Sequence, residues 1–490
     1  MSRSVLVLAW IIATVAGAVA TAAPESAVPD TPVGKVFAAW LEVSNSGDRA
    51  QVQAFRDRYQ FTAPVERMLA VREQTGGLEL VRIEQSTERS LTALMKGKGD
   101  DRQIRAVLSI SPTDPPVIEN IGLLPARAPS PEAAPVERMT EAAALSALRA
   151  HADELAKQDE FSGALLVARH DKVLLEDAWG LADRGSGRRA TVDTQFNLGS
   201  MNKMFTAVAI LQLVEAGKVS LEATVGTYLP DYPNRDVAEK VTVRELLNHT
   251  GGTGDFASPE WFANRDSIEE HADYIKLLGA RGLDHEPGKE FRYSNYGFIL
   301  LGAIIERVSG VSYYEYVDGH IFKPAGMHAT DSLPKKEPSI AGRLREAERA
   351  GRAGTVGRAV PYTKRNGALS ENDQLPYRGS GAGGGYSTVG DLLKFARALE
   401  AGKLISLKSL HEATRLQTPP GTSERAYGYG FVPEGEGALR NYGHGGGTLG
   451  VNGYLRIFPE LGVVVVCLSN RDPPAAERLV SYYTQRMPSQ

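Results

Sequence analysis

The stretch "NLGSMNKMFTAVAILQLVEAGK", residues 197–218, sets a serine and a lysine three apart at the mouth of a long apolar segment. Met204, Ala207, Val208, Leu211 and Val214 recur at helical spacing, Phe205, Ala209, Ile210 and Leu213 fill the other faces, and Gly217 supplies a C-terminal stop. The pattern predicts a helix buried nearly all round. Side chains at i and i+3 leave a helix from one face, one turn apart, so Ser200 and Lys203 are placed to touch. An ammonium desolvated beside apolar surface has a lowered pKa, and the neutral amine can take the proton of a neighbouring hydroxyl. Ser200 is therefore a candidate nucleophile. Spacing alone favours the plainer reading, a helix-start serine followed by a lysine whose stem snorkels. A second copy of the pattern, Ser332-Leu-Pro-Lys335, contains Pro334, which argues against a shared helical face.

Composition sets the frame. With 490 residues, 42% hydrophobic, 23% charged and a net charge of −4, the chain has an ordinary globular balance with room for more than one domain, and nothing in it points to nucleic acid. The start, "MSRSVLVLAWIIATVAGAVATA", combines basic Arg3, an apolar run and an Ala20-Thr21-Ala22 exit. It reads as a signal peptide over 1–22, with a retained anchor as the alternative, and implies a periplasmic or secreted protein. Cys467, the only cysteine, lies in "GVVVVCLSN", an apolar run typical of a central strand. Neither a disulfide framework nor a cysteine metal cluster is available, and no metal or cofactor is expected.

The proline- and alanine-rich "PARAPSPEAAP", residues 125–135, suits a boundary. Two domains are expected: an accessory α+β domain over 30–122 and, after a linker at 123–138, a larger domain over 139–488. The opening of the first, "VFAAWLEVSNSGDRAQVQAFRDRY", faintly resembles the cone-shaped, curved-sheet domains of the nuclear-transport-factor-two kind. In the second, a helix from about Thr140 to Lys157 and strands "GALLVARH" and "KVLLEDAWG" at one end face "GYLRIFPE", "GVVVVCLSN" and a helix near 475–486 at the other. Sheet-forming pieces from both ends bracket a mainly helical insert. This predicts an antiparallel sheet flanked by terminal helices, with a helical subdomain and a cleft at the junction.

A nucleophile and an amine need partners for the leaving group and the oxyanion. "HEPGKEFRYSNYGFILLGAIIERVSG" places Tyr293-Ser294-Asn295 just before a helix with core spacing at Phe298, Leu301 and Ile305. A phenol there suits a proton relay with Lys203, and the Asn295 amide suits a hydrogen bond to substrate or to the lysine. Tyr232-Pro-Asn234 matches the same pattern but reads as a surface turn. In "YGHGGGTLGVNGYLRIF", His444 heads Gly445, Gly446 and Gly447 before a strand, where glycines permit close backbone approach and an edge supplies amides.

Ser200-Met-Asn-Lys203, Tyr293-Ser-Asn295 and His444-Gly-Gly446, in that order, resemble the active-site motifs of the serine β-lactamase and penicillin-binding-protein superfamily, specifically its class C and esterase-like branch. The flanks "VTVRELLNHTGG", "FKPAGMHAT" and "RGSGAGGGYSTVGDLLKFARAL" look like family signatures, and the resemblance covers roughly 140–485. It implies an α+β, β-lactamase-like fold and catalysis by Ser200, Lys203 and Tyr293. Asn295, His444, Gly445, Gly446 and Gly447 would bind substrate, with the Ser200 amide and one near Gly447 as oxyanion donors. His249 in "LLNHTGG" would end a helix and shape a loop. One departure matters: β-lactamases usually carry Lys-Thr-Gly where this chain has His444-Gly445-Gly446, which removes a permanent cation and a hydroxyl that help hold a substrate carboxylate. The expectation is a serine hydrolase of the esterase, D-amino-acid peptidase or DD-carboxypeptidase type, acting on a small-molecule or short-peptide acyl substrate, with weak or no β-lactamase activity. The alternative is a silent penicillin-binding-like protein that contacts cell-wall peptidoglycan or a protein partner.

Overall fold

The computed structural model describes residues 27–61, 65–99, 103–125, 136–334, 357–365, 368–372, 375–419 and 426–489. The signal peptide expected at 1–22, most of the linker expected at 123–138, and Lys335 of the second Ser-x-x-Lys lie outside the described residues. Among the described residues no helix is long and apolar enough to cross a membrane. The chain divides into two compact units, one running to residue 132 and taking in 365–367, the other made of the remaining residues.

In the first unit, helices α1 (Pro32–Ser46), α2 (Arg49–Tyr59) and α3 (Val65–Thr75) precede a four-stranded antiparallel meander, β1 (Leu78–Ser86), β2 (Ser90–Gly97), β3 (Gln103–Ile110) and β4 (Ile118–Pro125). Thr31 and Asp48 cap α1 and α2 by accepting backbone N–H groups in the first turn. Phe37, Trp40 and Phe55 then pack on Leu91, Ala93, Met95, Ala106 and Leu108, which recur with the two-residue period of strands covered on one face.

The second unit opens with α4 (Glu141–Lys157), capped by Thr140, and strands β5 (Gly163–Arg169) and β6 (Lys172–Trp179). It closes with β7 (Val432–Glu434), β8 (Asn441–Thr448), β9 (Val451–Phe458), β10 (Val463–Ser469) and, below, one last helix. These strands form one antiparallel sheet in the order β7-β8-β9-β10-β5-β6, with Gly446 opposite Gly453, Leu455 opposite Val466 and Cys467 opposite Leu165. Strands β10 and β5 are buried on both faces, which is why they read as near-continuous apolar runs. Leu165, Val167, Val463, Val465 and Cys467 face α4 and the last helix (Ala475–Arg486), while Ala164, Leu166, Val464, Val466 and Leu468 face the larger core. Cys467 is buried, and desolvation raises its thiol pKa, in keeping with inert packing.

Two helices of the segment between β6 and β7 position the site, α5 (Asn202–Glu215) and α6 (Asn295–Ser309); α7 (Val389–Glu400) packs on the sheet, and the last helix is α8. From Asn202 to Leu211 every residue of α5 is buried, as its all-round apolar pattern predicts. Helix α6 starts at Ser294, whose hydroxyl accepts the Gly297 N–H, and ends at Gly310 in the left-handed region. One expectation fails here. Tyr232, read as part of a surface turn, is buried with its hydroxyl 3.1 Å from that of Tyr296 on α6, and Asn234 caps a short helix at Arg235–Lys240. A turn sequence does not reveal that a phenol has a buried partner 64 residues away.

Candidate active site

The serine sits on a tight turn. Residues Gly199–Met201 form one turn of 3-10 helix that runs directly into α5, with Gly199 at φ +50°. Two glycine-rich stretches clasp this turn. On one side, a methyl added at Gly446 of β8 would lie 1.9 Å from the Leu198 carbonyl oxygen and 3.0 Å from the Ser200 nitrogen. The glycines after His444 thus make room for the serine's own backbone as well as exposing a strand edge. On the other side, "GSGAGGG", residues 379–385, wraps the turn: Leu198 N donates to Gly385 O at 2.7 Å, Gly384 N to Gly199 O at 3.1 Å, and the Asn197 amide to Gly384 O at 3.0 Å. Such approach is available only where Cβ is missing.

Lys203 projects one turn later, as spacing predicts, and has no exposed surface. Its Nζ lies 3.3 Å from Ser200 Oγ, 2.7 Å from Asn295 Oδ1 and 2.6 Å from the Ala382 carbonyl oxygen. The rings of Tyr293 and Phe298 flank the amine, at 4.8 and 5.4 Å from ring centre to Nζ. Burial brings the Lys203 pKa down from 10.5 to about 7, against the opposing pull of the Asp255 carboxylate. Asn295 and Ala382 offer only acceptors toward the amine, and a neutral amine has two hydrogens and one lone pair. With both hydrogens so engaged, the lone pair is left for the Ser200 hydroxyl.

Ala382 is itself anchored. His271 Nε2 accepts the Gly381 N–H at 3.0 Å, which makes Nδ1 the protonated nitrogen, and Nδ1 donates to Glu306 of α6 at 2.9 Å. Thr206 of α5 donates to Gly381 O at 2.7 Å.

Tyr293 lies over the amine and packs its ring on that of His249, with centroids 4.2 Å apart. His249 shapes a loop as expected, at φ +61°, but its buried ring also enters the site. Its Nδ1 accepts the Ser294 N–H at 3.1 Å, and burial, followed by the Lys203 and His444 charges, holds its pKa well below the usual range. His444 is buried. Its Nε2 lies 2.9 Å from the Tyr427 hydroxyl and its Nδ1 2.5 Å from Gly445 O. Burial first, then Lys203, takes its pKa to about 3, so the ring is neutral at physiological pH. Tyr427, also buried, has its phenol pKa raised well above 10 by desolvation and by Tyr293.

The structure therefore gathers Ser200, Lys203, Tyr293, Asn295, His444 and Gly446 from three stretches into one place. Sequence reasoning did not find Tyr427, the 379–385 clasp, the His271–Glu306 anchor or Asp255, whose Oδ2 accepts from Asn295 Nδ2 at 2.8 Å. Five glycines in seven residues were the available signal for the clasp.

The Beta-lactamase family profile matches residues 148–486. The chain belongs to the β-lactamase family. Within this family of serine hydrolases it is 30% identical to esterase EstB of Burkholderia gladioli over 320 residues, covering 59% of this chain and 79% of the relative. It is likewise 30% identical to penicillin-binding protein 4 of Amycolatopsis lactamdurans over 335 residues, 65% of this chain and 83% of that one. Among solved structures, a D-stereospecific amidohydrolase from Streptomyces sp. superposes with a TM-score of 0.55 at 26% identity, over 68% of this chain and 97% of that one. The family match begins after the first unit, at residue 148.

Proposed function

We propose that this β-lactamase family member cleaves an ester or amide through an acyl-enzyme on Ser200. The observation that carries the reading is Lys203: a fully buried amine, with a pKa near 7, whose two non-serine contacts accept hydrogen bonds and whose third contact is Ser200 Oγ. The Ser200 proton passes to Lys203 Nζ as Oγ attacks the acyl carbon. The resulting oxyanion takes N–H groups from Ser200 and from β8 near Gly447, and Tyr293 returns a proton to the leaving oxygen or nitrogen. Water then releases the acid by the reverse sequence. The substrate is a small-molecule or short-peptide acyl donor of the esterase, D-amino-acid peptidase or DD-carboxypeptidase kind. A relative named an esterase and a fold neighbour named a D-stereospecific amidohydrolase support this range. Weak action on β-lactams follows from a neutral, buried His444, which offers no fixed charge to a substrate carboxylate. The basic, apolar and small-residue run at the start of the chain supports a periplasmic or secreted location.

The test is covalent labelling of the full mature chain with a fluorophosphonate and with a penicillin, read by intact mass and peptide mapping. The expected adduct maps to Ser200 and vanishes in Ser200→Ala with circular dichroism unchanged. Labelling that persists in Ser200→Ala sinks the mechanism, and a wild-type protein that takes no label at all supports a silent binder of peptidoglycan or of a protein partner.

A further inference from the structure

We propose that Asp255 is a positioning residue for the nucleophile and its base: its carboxylate fixes the Asn295 amide so that the amide oxygen is held on Lys203 Nζ. This rests on the assignment of Ser200 and Lys203 above and extends it to a residue that touches neither. A primary amide can present either its oxygen or its NH2 to a neighbour, and the two orientations fill almost the same space. The difference is decisive at Lys203. With the oxygen inward, Asn295 accepts one amine hydrogen and leaves the lone pair for Ser200. With the NH2 inward, two donors face each other in a site without water access to Lys203.

Asp255 selects the first orientation. Its Oδ2 lies 2.8 Å from Asn295 Nδ2, and a carboxylate facing the amide oxygen instead would set two acceptors against each other. The carboxylate is itself held: Oδ1 accepts the Ala257 N–H at 3.2 Å and the Asp255 main-chain oxygen accepts from Arg281 at 2.7 Å. Its loop is tied to the start of α6. The Ser294 hydroxyl donates to the Gly254 carbonyl and sits 3.0 Å from Thr253 Oγ1. The same ties fix Ser294, and with it the backbone position from which Asn295 departs. The chain of contacts is thus carboxylate, amide, amine, hydroxyl, linked at 2.8, 2.7 and 3.3 Å.

The titratable and charged groups around Lys203 are Tyr293 beneath the amine, His249 and His444, whose own charged forms it disfavours, and Asp255, with Arg281 beside the Asp255 backbone. Asp255 is the one carboxylate among these, and its charge favours the ammonium form.

The experiment measures the rate of Ser200 phosphonylation by a fluorophosphonate, with loss of fluoride, against pH for the full chain and for Asp255→Asn, Asp255→Glu, Asn295→Ala and the Asp255→Asn/Asn295→Ala pair, with Ser200→Ala as the control. In Asp255→Asn the replacement amide accommodates either orientation of Asn295, so the alkaline plateau falls about ten- to a hundredfold, the worth of one charge-assisted hydrogen bond. The acidic limb also moves to lower pH, because the ammonium has lost its nearby carboxylate. Asp255→Glu recovers part of the plateau and keeps the wild-type limb. In the Asn295→Ala background, Asp255→Asn causes no further loss of plateau. A wild-type plateau and limb in Asp255→Asn overturns the proposal, and so does an undiminished loss in the Asn295→Ala background. Failure of the underlying assignment looks different: the wild-type chain itself takes no label at Ser200.

Discussion

Replacing Lys203 by methionine separates the cost of burying a titratable amine from the benefit of its hydrogen bonds. The side chain has no exposed surface and its pKa lies near 7 in place of 10.5. Above the ordinary value neither folded nor unfolded chain holds the proton, so stability carries no penalty. As the pH falls toward 7 the unfolded chain gains a proton that the folded chain does not, and stability declines by about 1.4 kcal/mol per pH unit. Below 7 both states are protonated and the penalty levels off. Between about pH 9.5 and 7 the wild-type chain should lose about 3 kcal/mol from this residue, reaching a penalty of about 4 kcal/mol at neutrality. Methionine fills similar space without a proton, but leaves Asn295 Oδ1 and Ala382 O without a donor, at about 1 to 3 kcal/mol each and independently of pH. The opposing effects are of similar size near pH 7, so the absolute change there is small and the pH slope carries the information. Urea unfolding of both proteins at several values across this interval should give curves that diverge by about 3 kcal/mol in favour of Lys203→Met toward neutral pH. Parallel curves would refute the buried neutral amine, and with it the basis for Lys203 as a base. His249 and His444, with lowered pKa values, titrate below this window and do not distort it.

Further outcomes test the frame around the pair. Gly446→Ala places a methyl 1.9 Å from the Leu198 oxygen, so β8 must withdraw from the serine turn; acylation should fall on the order of a hundredfold while urea midpoints change little by comparison, and unaltered labelling rates would show that the strand does not border the reacting atoms. Short-chain aryl esters should acylate Ser200 faster than cephalosporins, since His444 is neutral and buried; comparable kcat/KM for the two substrates would contradict the reading of that position.

Much of this was legible in the chain. The all-round apolar pattern of 204–214 identified a buried helix, and a buried helix fixes which side chains share its first turn, so the Ser200–Lys203 contact followed from a three-residue offset. The strands behaved similarly, because two-sided burial imposes uninterrupted apolar runs such as 463–468. His444 was placed at the right strand, but local pattern did not show that its ring is buried against Tyr427. Asp255, Tyr427 and the Ala382 carbonyl left no trace in local pattern. The first two lie 40 and 17 residues from the groups they hold, and the third acts through a main-chain oxygen that every residue possesses.

What the sequence by itself determined was therefore whatever a single helix or strand enforces through its own repeat: the elements, their buried faces, Ser200 beside Lys203, and the ordered motifs that mark the family. What only the tertiary structure decided was the protonation and orientation of that pair. The pKa of Lys203 depends on how completely other elements exclude water from it. The direction of the Asn295 amide depends on a carboxylate delivered by a distant loop. Neither desolvation nor the pairing of a donor with an acceptor is a property of neighbours in sequence, so both come into being only when the chain has closed around the site.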